Sequence, residues 1–173
     1  MLSKMREIIV VAHNMRSAHN VGSLLRTAEG IGVATVILSG YSPYPKDTND
    51  KRLPYLAERI NNRISKTALG AELTQPWQYI EKIQPYLSAA QAQGYILVAL
   101  EQHARAIPLP SFNAADKLIL LLGEEVTGID PALLAMSDII VEIPMFGSKE
   151  SFNVVQAAAM ALYKLRYVST ASL

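Results

Sequence analysis

Five polar residues stand where apolar runs give way to loops or helix starts: Asn20, Arg26, Glu125, Ser151 and Asn153. The densest such point is residues 143–156. There a β-branched run ending at Ile143 meets Pro144, turns through Gly147 and Ser148, and enters an Ala-rich helix through Ser151, Phe152 and Asn153. A strand leading through a tight polar loop into a helix start offers free backbone N–H and C=O groups beside a positive dipole end. Ser151 and Asn153 either bind a ligand there or cap the helix. A second junction holds Asn20, a candidate cap, with Gly22 and Arg26 four residues apart on one helix face. The missing side chain at Gly22 leaves room for a partner beside a guanidinium suited to a phosphate or carboxylate. A capped helix with a surface arginine satisfies the same spacing. The third, Leu121–Gly128, follows a very apolar run. Gly123 permits close backbone approach, and Glu125 puts a carboxylate where loops leave the carboxyl ends of parallel strands. It is neither a P-loop nor a dinucleotide-binding glycine turn. An acidic turn before a helix cap fits it equally well.

These junctions need a scaffold, and the composition supports one. The 173 residues are half hydrophobic and only 18% charged, which excludes a disordered chain and fits a single domain. Mean hydropathy is slightly positive. No apolar run reaches the roughly 20 residues needed to cross a bilayer, so a buried subunit interface, not a membrane, accounts for the surplus. With no cysteine and with His13, His19 and His103 in no ligand pattern, neither a thiolate site nor a metal enzyme is expected. The N-terminal residues run directly into a strand without a leader, so a cytoplasmic location is expected. Net charge is +1, but Lys46, Lys51, Arg52, Arg59, Arg63 and Lys66 face only three acids between 46 and 66. That segment is either a phosphate-contacting arm or a solvated polar excursion.

Apolar runs predict strands at 7–12, 34–38, 95–100, 117–122 and 139–143. A helix from Asn20 to about Gly32 carries Val21, Leu24, Leu25, Ala28 and Ile31 on one stripe. Asp130-Pro131 opens a short helix, and a last one runs from about Asn153 to Tyr167. Prolines 43, 45 and 54 argue for an irregular segment over 40–75, and Thr74 and Pro76 for a helix to Gln93, kinked at Pro85. Alternating strands and helices predict an α/β parallel sheet covered on both faces.

Taken together, three motifs in this order are specific: Asn-x-Gly-x-x-x-Arg from Asn20, Leu-x-Gly-x-Glu-x-x-Gly-Ile from Leu121, and Ile-Pro-Met-x-Gly-x-x-x-Ser-x-Asn-Val from Ile143. With Lys66-Thr-Ala-Leu-Gly-Ala-Glu72 they resemble the SpoU (TrmH) branch of the SPOUT RNA methyltransferases over nearly the whole chain. The resemblance implies methyl transfer from S-adenosylmethionine to a ribose 2′-hydroxyl of RNA, by a homodimer whose C-terminal trefoil knot covers about residues 95–167. It implies cofactor contacts at Leu100, Gly123, Ile143 and Phe152, with Met145 a neighbour. Arg26 takes the place of the residue credited with helping remove the hydroxyl proton. Positioning suits it better than literal proton abstraction, since a guanidinium pKa lies above about 12. Asn20 and Glu125 then orient Arg26 or the ribose, and Ser151 and Asn153 organise the substrate and cofactor loop.

Three residues depart from the family pattern. Phe152 is larger than the usual leucine, Val155 replaces a serine, and Glu124 adds negative charge beside a site that must admit RNA. With no separate RNA-binding domain expected, recognition falls to the dimer surface through Arg16, Arg59, Arg63 and Lys149. Transfer RNA is favoured over ribosomal RNA by analogy with short family members. Two alternatives remain: a knotted RNA-binding dimer without catalysis, acting as an assembly factor, and an α/β enzyme for another nucleotide.

Overall fold

In a computed structural model describing residues 5–167, the apolar runs assemble into one seven-stranded sheet. The strands are β1 (Glu7–His13), β2 (Thr35–Ser39), β3 (Trp77–Ile80), β4 (Ile96–Leu100), β5 (Ile107–Pro108), β6 (Lys117–Leu122) and β7 (Ile139–Glu142). Their order is β3-β2-β1-β6-β4-β7-β5, and every pairing is parallel. The helices are α1 (Ala18–Ile31), α2 (Pro54–Ala68), α3 (Ala71–Thr74), α4 (Gln84–Ala92), α5 (Pro131–Met136) and α6 (Val154–Tyr167), with a 3₁₀ turn at Leu109–Ser111.

Side-chain alternation divides the central strands between two cores. Ile8, Val10 and Ala12 of β1, with Leu118, Leu120 and Leu122 of β6, face a core shared with α1, α2 and α6. Ile9, Val11, Ile119 and Leu121 face the other, with α4 and α5. Strands buried on both faces explain the unbroken apolar runs. β1, β6, β4 and β7 are neighbours, so the loops leaving their carboxyl ends open side by side, where parallel sheets bind ligands.

Three expectations are corrected. Residues 40–75 are not irregular throughout: Pro54 opens the 15-residue α2. A proline in the first turn loses no intrahelical hydrogen bond, so it starts a helix instead of breaking one. The helix expected over 76–93 is β3 followed by α4, with Pro85 in the first turn of α4. Trp77 and Tyr79 lie on one side of β3 and join the first core, a two-residue repeat hidden beside helix-forming neighbours. The cap of α1 is Ser17, whose Oγ accepts from the Asn20 N–H at 3.2 Å, so Asn20 is freed for other work. The α1 stop at Gly32 (φ +74°), the Asp130 cap of α5 and the buried α6 stripe of Val155, Ala158, Ala161, Leu162 and Leu165 occur as expected.

The partner admitted by Gly22 is α2 of the same chain. A Cβ there would collide with the Ile64 carbonyl and Thr67 Oγ1. Thr67 Oγ1 in turn donates to the His19 carbonyl at 2.8 Å. At the far end of α1, Arg166 donates to the carbonyls of Ile31 and Gly32, locking α6 onto the α1 terminus.

Gly22→Val is expected to destabilise the chain by about 1–3 kcal/mol through overpacking against α2. By contrast, Gly30 has open space around its Cβ position, and Gly30→Ala should stabilise by about 0.5–1 kcal/mol. Urea unfolding of both variants checks the pair.

Candidate active site

The Glu125 carboxylate joins the loop after β6 to the start of α1. It accepts from the backbone N–H of Arg16 at 2.9 Å and Ser17 at 3.2 Å, and from Asn20 Nδ2 at 2.8 Å. Asn20 Oδ1 faces Asn153 Nδ2 at 3.4 Å, a long contact that reaches the third junction. Asn153 also caps α6, its Oδ1 accepting from the Val155 N–H at 2.9 Å. The cap and ligand-site readings of Asn153 are therefore compatible. Partial burial pushes the Glu125 carboxyl pKa up, but the donors from Arg16, Asn20 and Ser17 outweigh it and leave it below its ordinary value.

Two glycines shape the loop after β6. Glu124 and Gly128 exchange backbone hydrogen bonds at 3.0 and 3.1 Å, folding it back on itself. A Cβ at Gly123 would strike the Gly128 carbonyl and Ile129 nitrogen, and Gly128 sits at φ +73°. Beside this turn opens a cleft of about 330 Å³, bounded by the segments after β4, β6 and β7.

Leu100, Gly123, Ile143 and Phe152 all line the cleft, together with Glu125 and Ser151. Met145 does not line it. Phe152 stands at its edge, 40% exposed, and does not close it. Arg26 is exposed on α1 and makes no hydrogen bond or ion pair among the described residues. Ser151 is exposed too, and Val155 is buried in the core. Glu124 is paired with Arg16 at 3.2 Å and accepts from Thr127, which offsets the negative charge it adds.

The basic segment separates into structural and exposed members. Arg52 is spent structurally: it pairs with Asp50, donates to the carbonyls of Tyr44 and Pro45, and lies 3.6 Å over the Tyr44 ring. Lys46 pairs with Glu58. Arg59, Arg63 and Lys66 are exposed along α2 at helical spacing, with Tyr55, 68% exposed, one turn earlier. Lys149 is exposed on the loop before α6.

Sequence reasoning missed Glu101, Gln102 and Glu142, all of which line the cleft. The available signal was position: Glu101 directly follows the apolar run ending at Leu100. Among the described residues no group of three or more His, Asp or Glu side chains is arranged to hold a metal ion. No described helix is long and apolar enough to cross a membrane.

The structure is a parallel α/β sheet with a cleft among the segments that follow β4, β6 and β7 at the strand carboxyl ends. The chain belongs to the SpoU rRNA Methylase family, whose model matches residues 52–163. It is similar to an uncharacterized tRNA/rRNA methyltransferase of Mycobacterium tuberculosis, 28% identical over 159 residues covering 90% of this chain and 50% of that protein. It is also similar to the tRNA (guanosine(18)-2′-O)-methyltransferase of Aquifex aeolicus, 24% identical over 93% of this chain and 69% of that one. Among solved structures, the SpoU methyltransferase AviRb from Streptomyces viridochromogenes matches with a TM-score of 0.73 and 25% identity, covering 93% of this chain and 60% of that one. The chain thus spans about half the length of the first of these relatives.

The depressed Glu125 pKa carries a sign. Its contribution to stability is present above the unfolded glutamate value near 4.3 and is lost as pH falls through the lower folded value. Comparing unfolding free energy from pH 6 to pH 2, Glu125→Gln should flatten this acid-side loss. An unchanged slope would count against the carboxylate's role.

Proposed function

We propose that this chain transfers a methyl group from S-adenosylmethionine to a ribose 2′-hydroxyl of RNA. The observation that carries the reading is the hydrogen-bonded chain from Glu125, which lines the cleft, through Asn20 to Asn153, residues brought together from three separate segments. The cleft fits the cofactor in size and chemistry. Its volume falls at the lower end of ligand pockets. Apolar Leu100, Leu122, Ile143 and Val154 can cover flat or aliphatic groups, and Glu142 and Glu150 suit a ligand carrying positive charge. When bound, the cofactor supplies an electrophilic methyl group on a cationic sulfur.

The protein's own task is to present a weak nucleophile in the right orientation. Arg26 does not line the cleft; in this reading it holds a phosphate or the ribose of the RNA from α1, and an arginine stays protonated at physiological pH, so its role is orientation and charge. Glu125 fixes Asn20, and Asn20 with Asn153 sets the polar rim facing the ribose. Ser151 offers a hydroxyl on the same rim. In this reading Leu100, Gly123, Ile143 and Phe152 form the cofactor walls, with Met145 a neighbour on the segment after β7.

The RNA surface of this reading is the exposed row Arg59 and Arg63 on α2, with Arg16 and Lys149 nearer the cleft. Packing through Gly22 fixes α2 rigidly to the helix that carries Arg26. The same reading takes the active form as a homodimer with a C-terminal trefoil knot, in the cytoplasm. Exposed Phe146, Met160, Tyr163 and Tyr167 supply apolar surface for the seam. Transfer RNA is the first substrate to try, ahead of ribosomal RNA.

Purified chain is expected to bind S-adenosylmethionine in calorimetry and to methylate tRNA, with a 2′-O-methylnucleoside found by mass spectrometry of the digest. Arg26→Ala should lower kcat/KM by about a hundredfold while cofactor affinity stays within about threefold. RNA binding and cofactor binding without any methyl product would favour the assembly-factor reading.

A second expected outcome concerns α2. Arg59→Glu with Arg63→Glu should weaken RNA binding and lower the slope of log affinity against log salt by about 1.5. An unchanged slope removes α2 from the interface.

A further inference from the structure

We infer that Glu101, with Gln102 beside it, is a positioning residue that holds the three cleft-forming segments in register. The inference rests on the proposed cofactor site but names residues that none of the three motifs contains.

Glu101 is the first residue beyond β4, and its backbone N–H donates to the Val141 carbonyl at 3.0 Å, tying it to β7. Its side chain goes the other way. Oε2 accepts from the Ile129 N–H at 2.8 Å and lies directly against Gly128, where a Cβ would collide with it. Oε1 accepts from the Gln102 N–H at 3.0 Å, which orients the carboxylate. Gln102 Nε2 then donates to the Glu150 carbonyl at 2.6 Å, reaching the loop before α6. Two consecutive residues thus touch the segment after β6, the strand β7 and the loop that follows it.

Glu125 and Glu124 tie the near limb of the loop at 123–129 to the start of α1, but its far limb has fewer supports. Its turn is closed by two backbone hydrogen bonds between Glu124 and Gly128, and Val126 and Thr127 are exposed. The Ile129 N–H, at the point where the turn joins α5, has Glu101 as its acceptor. Removing that acceptor leaves a partly buried donor unpaired and releases one wall of the cleft. The positive φ of Gly128 and the carboxylate's closeness are one device, since a side chain there would displace Glu101. A cleft held open in its binding shape binds ligand more tightly because less ordering remains to be done on binding.

Calorimetric titration with S-adenosylmethionine tests this. Glu101→Ala is expected to weaken binding about tenfold. Glu101→Gln, whose amide oxygen can still accept from Ile129 but whose NH2 loses the Gln102 contact, should weaken binding clearly less than Glu101→Ala. Gly128→Ala should weaken binding at least as much as Glu101→Ala, since its φ of +73° adds backbone strain, and the combined loss should fall short of the product of the single losses because both break the same contact. In methyl transfer, Glu101→Ala should raise KM for the cofactor and leave kcat within about threefold. Urea unfolding of each variant separates loosening of the cleft from global destabilisation. Binding by Glu101→Ala within twofold of the unaltered chain overturns the inference. So does equal weakening by glutamine and alanine. Absence of binding by the unaltered chain is a different failure: it overturns the cofactor reading first, and this inference with it.

Discussion

One carboxylate governs the site. Glu125 accepts hydrogen bonds from two backbone N–H groups at the start of α1 and from Asn20, which pins the loop after β6 to that helix. Charge-assisted hydrogen bonds of this kind are stronger than neutral ones, and their sum outweighs the cost of partial burial. Without it the turn after β6 would be tethered mainly by its own backbone pair and by Glu101. The loop before α6 would lose the Asn20 side of its contact with Asn153 as well. The same Asn20 would then have no fixed rotamer, because Glu125 is what orients its amide.

The sheet order makes this junction possible. β1, β6, β4 and β7 are consecutive in space although scattered along the chain, so their exit loops share one edge. Close glycine packing keeps the supports rigid: Gly22 seats α2 on α1, and Gly123 lets the return limb of its loop touch its own start. Loops held on rigid elements are what a positioned nucleophile requires.

Much of this was legible in the amino-acid order. Five strands, α1, α5 and α6 follow from apolar periodicity and caps, and Asn20, Glu125 and Asn153 follow from their places at strand-to-helix junctions. The errors have local causes. Pro54 resembles a breaker and is a helix starter. Trp77 and Tyr79 carry a two-residue repeat too short to outweigh the helical pattern around them. β5 has only two residues and exists because β7 offers it an edge. Ser17, not Asn20, caps α1, since only the structure shows that Glu125 claims the Asn20 side chain. Glu101 was marked only by its position after the run ending at Leu100, because its partner Ile129 is 28 residues away and no spacing rule connects them. Arg52 looked like a free cation until its stacking on Tyr44 and pairing with Asp50 were seen.

The account stands or falls on whether the junctions act as one unit through Glu125, Asn20 and Asn153. A double-mutant cycle on S-adenosylmethionine affinity, with Glu125→Ala, Asn153→Ala and the two combined, tests that directly. Coupling through Asn20 predicts that the combined variant loses clearly less affinity than the product of the single losses. Losses that simply multiply would show that the two residues act independently, and the relay across the cleft mouth would be wrong.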